Sequence, residues 1–227
     1  MLVTIINAIS VIVGALFGLL MKKHVSDKFQ SVVMTSAGVV TLILGIEMAM
    51  ADLSVLALLF SLILGGFIGS ALKLEERIEN FGNKFAREGE DNSFGKGFLN
   101  SSILFCSGAM SIVGSINAGT TGDTSLILIK SVMDGFMAVV FAATYGRGVL
   151  LSSVAILIYQ GFFVLAGSFI SPILGETGIG YIAASGGFLL IMLSMGLLKI
   201  KEFKTAYFLP ALAISPILGY LFGFLPF

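Results

Sequence analysis

The sequence predicts an all-α polytopic membrane protein. It has about eight transmembrane helices, with inverted three-helix repeats flanking two central helices. Three observations carry this expectation. Of 227 residues, 57% are hydrophobic and only 11% charged, with a mean hydropathy of +1.04, whereas a water-soluble domain carries about 25% charged residues. The apolar runs last about 20 residues, enough for a helix to cross a hydrocarbon core of ~30 Å, and they lack the alternation of an outer-membrane barrel. Lys and Arg are confined to alternate loops.

The spans cover about residues 2–21, 30–50, 53–72, 98–116, 124–143, 149–170, 178–198 and 206–225. No base precedes the first apolar run, which is long enough to remain as a span and not be cleaved as a signal peptide. Only Ala51 and Asp52 separate spans two and three, so one long kinked hairpin is the alternative there. Lys22, Lys23 and Lys28 follow span one; Lys73, Arg77, Lys84, Arg87 and Lys96 follow span three. Arg147 follows span five, and Lys199, Lys201 and Lys204 follow span seven. Every Lys or Arg except Lys130 thus falls on one side, while the opposite loops hold Asp52, Asp123 and Glu176. The positive-inside rule then puts both termini outside the cytoplasm.

The whole chain reads as one membrane domain. Repeat 1 covers about 2–72, a cytoplasmic amphipathic loop about 73–97, the central helices about 98–146 and repeat 2 about 149–225. In the loop, Leu74, Ile78, Phe81 and Phe85 recur at helical spacing, which predicts an amphipathic helix at the membrane surface or against the spans. Residues 88–93 follow as a solvated turn. The repeat shows as a steady offset: Asn7 aligns with Gln160, Gly14 with Gly167, Ser36 with Ser185, Gly38 with Gly187 and Gly69 with Gly219. Span one enters from outside and span six from the cytoplasm, so the repeat is inverted, an arrangement that places binding sites at the repeat interface.

Small residues recur every four positions: Gly14 and Gly18; Ser61, Gly65 and Gly69; Ser215, Gly219 and Gly223. Such stripes serve close helix packing or a homo-oligomer. Pro216 is expected to bend span eight.

Several function classes find no support. Zero net charge gives no reason to expect nucleic acid. The single cysteine, Cys106, excludes an intrachain disulfide, and one histidine, His24, leaves no zinc ligand set. GAMSIVGSINAG lacks the Gly-Lys-Ser/Thr of a phosphate loop. Ser107 or Ser131 beside Lys130 offers a serine–lysine nucleophile pair with no geometry to support it. The expectation is therefore no enzyme, no cofactor and no metal.

The polar anomaly lies in the centre. Asp134 falls near the middle of span five, with Lys130 one turn before it on the same face. Ionisable groups are costly at bilayer depth and usually mark a solute or ion site. A purely structural ion pair is the alternative, though it is an expensive device. Ser107, Ser111 and Ser115 form a ladder on span four, bracketed by Asn100 and Asn117, and Gly108 and Gly114 weaken that helix. The ladder reads equally as a packing stripe. Glu47 either snorkels to the outer surface or lines an outward vestibule with Asp123. Gln160 and its repeat mate Asn7 suggest a symmetric pair of amides; each would otherwise bond a neighbouring helix. With Ser131, these twelve residues are the candidate substrate or ion site.

The block GAMSIVGSINAGTTGD, followed by IKSVMDGFMAVVFAATYGRGV and IYQG, resembles a prokaryotic membrane family, domain of unknown function 554. KLEERIENFG and the opening GALFGLLMKK match it too. The resemblance implies a multi-pass protein of the bacterial inner membrane, with Gly114, Ser115, Gly119, Gly122, Asp123, Lys130, Ser131, Asp134 and Gly135 as its signature. It implies no substrate. Residues and resemblance together point to a secondary transporter or channel for a small polar or charged solute. The alternative is a non-transporting scaffold or partner subunit, assembled through the small-residue stripes and the amphipathic helix.

Overall fold

The computed structural model describes residues 1–22, 27–50, 53–86, 91–107 and 109–223. The described residues form helices α1 (Leu2–Lys22), α2 (Asp27–Ala49), α3 (Val55–Ala71), α4 (Leu74–Asn83), α5 (Asp91–Ser107), α6 (Ala109–Thr120), α7 (Ser125–Tyr145), α8 (Gly148–Leu197) and α9 (Ala211–Gly223), with a 3-10 turn at Thr205–Phe208 before α9. No strand occurs among them.

Four segments are long and apolar enough to cross a membrane: Leu2–Met21, Ser125–Tyr145, Gly148–Leu197 and Thr205–Phe222. The number rises to six if α3 with α4, bent by 54°, and α5 with α6, bent by 59°, each count as one span. Outward positions are apolar, among them Phe17, Phe67, Phe136, Phe169 and Ile173, as a hydrocarbon solvent requires.

The elements depart from the sequence reading in four places. The spans expected at 149–170 and 178–198 are two arms of α8. Gly175, with φ 56° and ψ −176°, breaks the helix between them, a conformation only a residue without Cβ adopts freely. The break turns the chain back. Tyr145, just before the first arm, and Gly196, near the end of the second, line one cavity. The span expected at 98–116 is two helices, α5 and α6, and α5 begins earlier, at Asp91. The amphipathic helix is correspondingly short, ending at Asn83. Of the expected turn at 88–93, residues 88–90 lie outside the described residues, and the rest opens α5. Between spans two and three, α2 ends at Ala49, and Ser54 caps α3 through its side chain and the Ala57 amide; Ala51 and Asp52 lie outside the described residues.

Glycines set which helices touch. A Cβ on Gly14 would meet Gly135 O, and one on Gly18 would meet Val139 O, so α1 lies parallel to α7 at close range. Gly119 faces Val164 and Gly167 faces Ile116, which joins α6 to the first arm of α8. Gly45 and Gly187 face each other between α2 and the second arm. Gly65 and Gly69 of α3 receive Ala211 and Tyr207. The glycines of the α1 and α3 stripes are therefore filled within one chain, the expected use of small residues where lipid supplies no hydrophobic drive between helices. Phe105, Phe141, Ile156, Leu189, Leu190 and Leu193 form the centre of the core.

At the basic end α4 lies across α5. Gly82 packs on Phe98, and the Gly95 amide donates to Asn83 Oδ1 at 2.7 Å. The acidic side of α4 holds the turn before α9: Lys204 Nζ donates to Glu76 Oε1 at 2.6 Å, and the Ala206 amide donates to Glu75 Oε2 at 2.9 Å.

Candidate functional site

Lys130 and Asp134 sit one turn apart on α7, on the face that Gly135 and Ala138 turn toward α1. Both are 5% exposed. Lys130 Nζ donates to Asp134 Oδ1 at 2.7 Å and to Oδ2 at 2.6 Å. Asn7 Nδ2 of α1 adds a third donor, 3.0 Å from Asp134 Oδ2, and also donates to Gln160 Oε1 at 3.2 Å. Gln160 Nε2, on the first arm of α8, donates to Ser111 Oγ of α6 at 3.0 Å. One polar chain thus joins α7, α1, α8 and α6 through the apolar interior.

The carboxylate sets the polarity of that chain. Only the NH₂ of Asn7 can face Asp134 favourably. The oxygen of Gln160 must then receive the second Asn7 hydrogen, which turns the Gln160 NH₂ to Ser111. One acceptor is left over: Asn7 Oδ1 is buried without a hydrogen-bond partner. An unmet buried polar atom costs about 1–3 kcal/mol, so the chain is incomplete on its own.

The pair borders a cavity of about 360 Å³ that reaches toward the end opposite the bases. Glu47 stands on its wall, with the thioethers of Met48, Met110, Met133 and Met137 and the side chains of Leu104 and Leu190. The site therefore offers two carboxylates, one ammonium and a soft apolar lining. Asp134 can exchange its lysine for a proton or cation, Lys130 can hold an anion, and flexible thioethers adapt to varied shapes. No group of three His, Cys, Asp or Glu with the spacing to hold a metal occurs among the described residues.

The candidates divide. Lys130, Asp134, Asn7, Gln160, Ser111 and Glu47 come together. Ser131 is buried beside them, but its hydroxyl donates to Ile127 O at 2.7 Å and its carbonyl accepts from Ser10 Oγ at 2.6 Å; it fixes α1 to α7. Ser115 continues the Ser111 face inward without touching the pair. The Ser107 side chain lies outside the described residues, and the bend after α5 means the serine ladder is not one straight row. Asn100 is not at the pair; it lines a second cavity with Tyr145. Asn117 stands at the end of α6, where its carbonyl accepts from Thr121 and Gly122. Asp123 is exposed, just before α7, and is not among the residues lining the central cavity. Its Oδ1 accepts from the Ser125 amide at 3.0 Å, a bond that holds its carboxyl below the usual range.

The second cavity, about 320 Å³, opens at the basic end and is lined by Glu75, Glu76, Glu79, Glu202, Lys96 and Lys204, with Asn100 and Tyr145 deeper in. Its carboxyls behave oppositely. Burial pushes Glu75 up to about 7 against the Ala206 amide bond, whereas hydrogen bonds from Lys204 and Tyr207 pull Glu76 down to about 2. Glu79 is raised, chiefly by burial. The amphipathic pattern of α4 puts Glu75, Glu76 and Glu79 off its apolar stripe. Nothing in the α4 pattern announces that the turn before α9 closes over them. The methionines went unnoticed because they come from α2, α6 and α7 and converge only in space.

The family model "Protein of unknown function (DUF554)" matches residues 2–220. The chain is 31% identical over 218 residues to "Uncharacterized membrane protein YdfK" of Bacillus subtilis, covering 94% of this chain and 93% of that protein. It is 28% identical over 217 residues to "Uncharacterized protein YqgA" of Escherichia coli, covering 92% of each. No solved structure matches the chain. The block carrying the buried pair thus sits inside a match running from the first helix to the last, and the chain belongs to the DUF554 family of membrane proteins.

Proposed function

We propose that this protein is a secondary transporter or channel for a small polar or charged solute in the bacterial inner membrane, binding it at the Lys130–Asp134 pair. One observation carries the reading: a buried ion pair, wired through Asn7 and Gln160 to Ser111 across four helices, borders a cavity instead of being sealed in the core. A pair kept only for packing has no need of an open side, and intramembrane charges are by default functional.

The helix pairing supports inverted repeats with eight crossings, α8 counting as two and α5 with α6 as one. A pseudo-twofold axis exchanging the repeats would match α1 on α7 with the first arm of α8 on α6, and would leave α2 on the second arm and α3 on α9 as self-related pairs. These are the helix contacts observed. Asn7 and Gln160, aligned as repeat mates, bond to each other. With the basic end in the cytoplasm, both termini are extracytoplasmic, and the central cavity is the outer vestibule.

Other readings fare less well. Lys130 is engaged by Asp134 and Ser131 by its own helix, so neither is available for a serine–lysine hydrolase. A scaffold would use the small-residue stripes and α4, yet α1, α3 and α4 spend theirs inside the chain; a homo-oligomer must use other faces. The test is flux. Purified protein is screened by thermal shift against inorganic ions, amino acids and organic acids, and solutes that stabilise it are followed into proteoliposomes. Asp134→Asn and Lys130→Met abolish flux in protein that still purifies folded. Normal flux in both variants sinks the assignment.

A further inference from the structure

We propose that the two cavities are the two halves of one cation route, closed in this conformation by a thin apolar plug of Leu104, Phe141, Leu190 and Leu193. The proposal rests on the transport reading above and deepens it, naming the sign of the solute and the barrier.

The alignment of the cavities defines the route. On the second arm of α8, Leu190 lines the central cavity and Leu193 the basic-end cavity, a separation of three residues or about 4.5 Å of helix rise. On α5, Leu104 lines the central cavity and Asn100 the other, about 6 Å apart along the axis. On α7 the corresponding limits are Met137 and Tyr145, with Phe141 between them, its ring tilted 50° to that of Tyr145 at 5.7 Å between centroids. Leu104, Phe141, Leu190 and Leu193 are all buried and belong to one core cluster. Hydrocarbon side chains, about one helical turn deep along α5 and α8 and about 12 Å along α7, separate two spaces that each hold charged groups, and such a constriction stops ions by excluding water.

Charge sets the sign of the solute. In the central cavity Lys130 compensates Asp134, and Glu47 has no ion-pair partner among the described residues. The basic-end cavity runs against its surroundings. By sequence, every Lys and Arg except Lys130 falls in a loop assigned to that end, yet the lining holds four glutamates against Lys96 and Lys204. Lys204 pairs with Glu76 and Lys96 with Glu202; this leaves Glu75 and Glu79, which burial holds toward their neutral form, so the surplus negative charge develops as pH rises through about 7. Acidic linings at both mouths draw cations and repel anions.

The test uses the full chain with Cys106→Ala, reconstituted in phosphatidylethanolamine–phosphatidylglycerol vesicles. Met137→Cys is expected to react with a membrane-impermeant thiol reagent from the outer side only, and Met192→Cys from the cytoplasmic side only. Leu193→Gly, or Phe141→Ala should the first not purify monodisperse, is expected to let the reagent reach Met137→Cys from the cytoplasmic side. It should also raise potassium leak, read with a potential-sensitive dye, by roughly tenfold or more, with potassium preferred to chloride. Adding Asp134→Asn to the opened variant lowers that preference. Labelling of either cysteine from the wrong side, no crossover in either monodisperse plug variant, or a leak that prefers chloride overturns the proposal. Crossover with a potassium preference untouched by Asp134→Asn supports the route and counts against Asp134 as the site, so the two readings fail separately.

Discussion

Two clusters of charge stand at different depths, and the protein treats them differently. At mid-membrane, Lys130 and Asp134 are almost wholly buried and every donor they use comes from side chains fixed by packing. At the basic end, Lys204 and Glu76 make a bond of the same length, 2.6 Å, with side chains 58% and 39% exposed. Equal distances do not mean equal energies. An exposed pair gives back in side-chain entropy and screening most of what it gains. A buried pair has given up its hydration, so removing one partner strands the other. The comparison teaches that the inner pair is a commitment of the fold and the outer pair an adjustable fitting.

The largest effect should come from stranding the inner carboxylate. Lys130→Met is expected to lose about 3–5 kcal/mol of stability in detergent unfolding, and Lys130→Met with Asp134→Leu should recover most of it. A double variant no better than the single would mean the pair is not coupled. Next comes the contact that presents the pair: on Gly14 any Cβ meets the Gly135 carbonyl, so Gly14→Val should cost about 1–3 kcal/mol by the same assay. Gln160→Ala removes the acceptor for Asn7 and the donor to Ser111, an interhelical pair of bonds worth about 1 kcal/mol in a membrane; no measurable change would break the continuity of the polar chain.

At the basic end the expected effects are smaller and depend on pH. Burial lets Glu75 keep its proton in the fold up to about 7, against 4.5 for a free glutamate. Its contribution is therefore present below 4.5 and is lost as pH rises through 7. Glu76 runs the other way, contributing above 4.5 and losing that contribution as pH falls toward 2. Glu75→Gln should accordingly raise the melting temperature at pH 8 and change it little at pH 4, and a flat difference across that range would deny the burial of Glu75. Lys204→Met should shift melting least of all, and less still in high salt.

Much of this was legible in the sequence because a membrane leaves few choices. Twenty apolar residues with a charge four residues from another already specify a helix and a face, so Lys130 and Asp134 could be paired on paper. Asn7 and Gln160, aligned in the sequence as a pair of amides, do bond to each other. What could not be read was whatever depends on helix ends and on which loop folds over which. Asn100 brackets the serine ladder in the sequence, yet α5 and α6 are bent by 59° to each other and Asn100 lines the other cavity. Asp123 looked like a vestibule acid, yet an Asp two residues before a helix amide finds that amide first. The acid cluster of α4 acquired its meaning only from the turn at Ala206, which is remote in the chain.

The most direct test of the account compares the protein with its Lys130→Met/Asp134→Leu variant, two folded molecules that differ in the buried pair alone. Both are screened by thermal shift against the same ions, amino acids and organic acids. A site at the pair predicts that solutes stabilising the natural protein leave the variant unshifted, although both melt cooperatively without solute. Equal shifts in the two proteins would contradict it, and the pair would then be an internal fastening only.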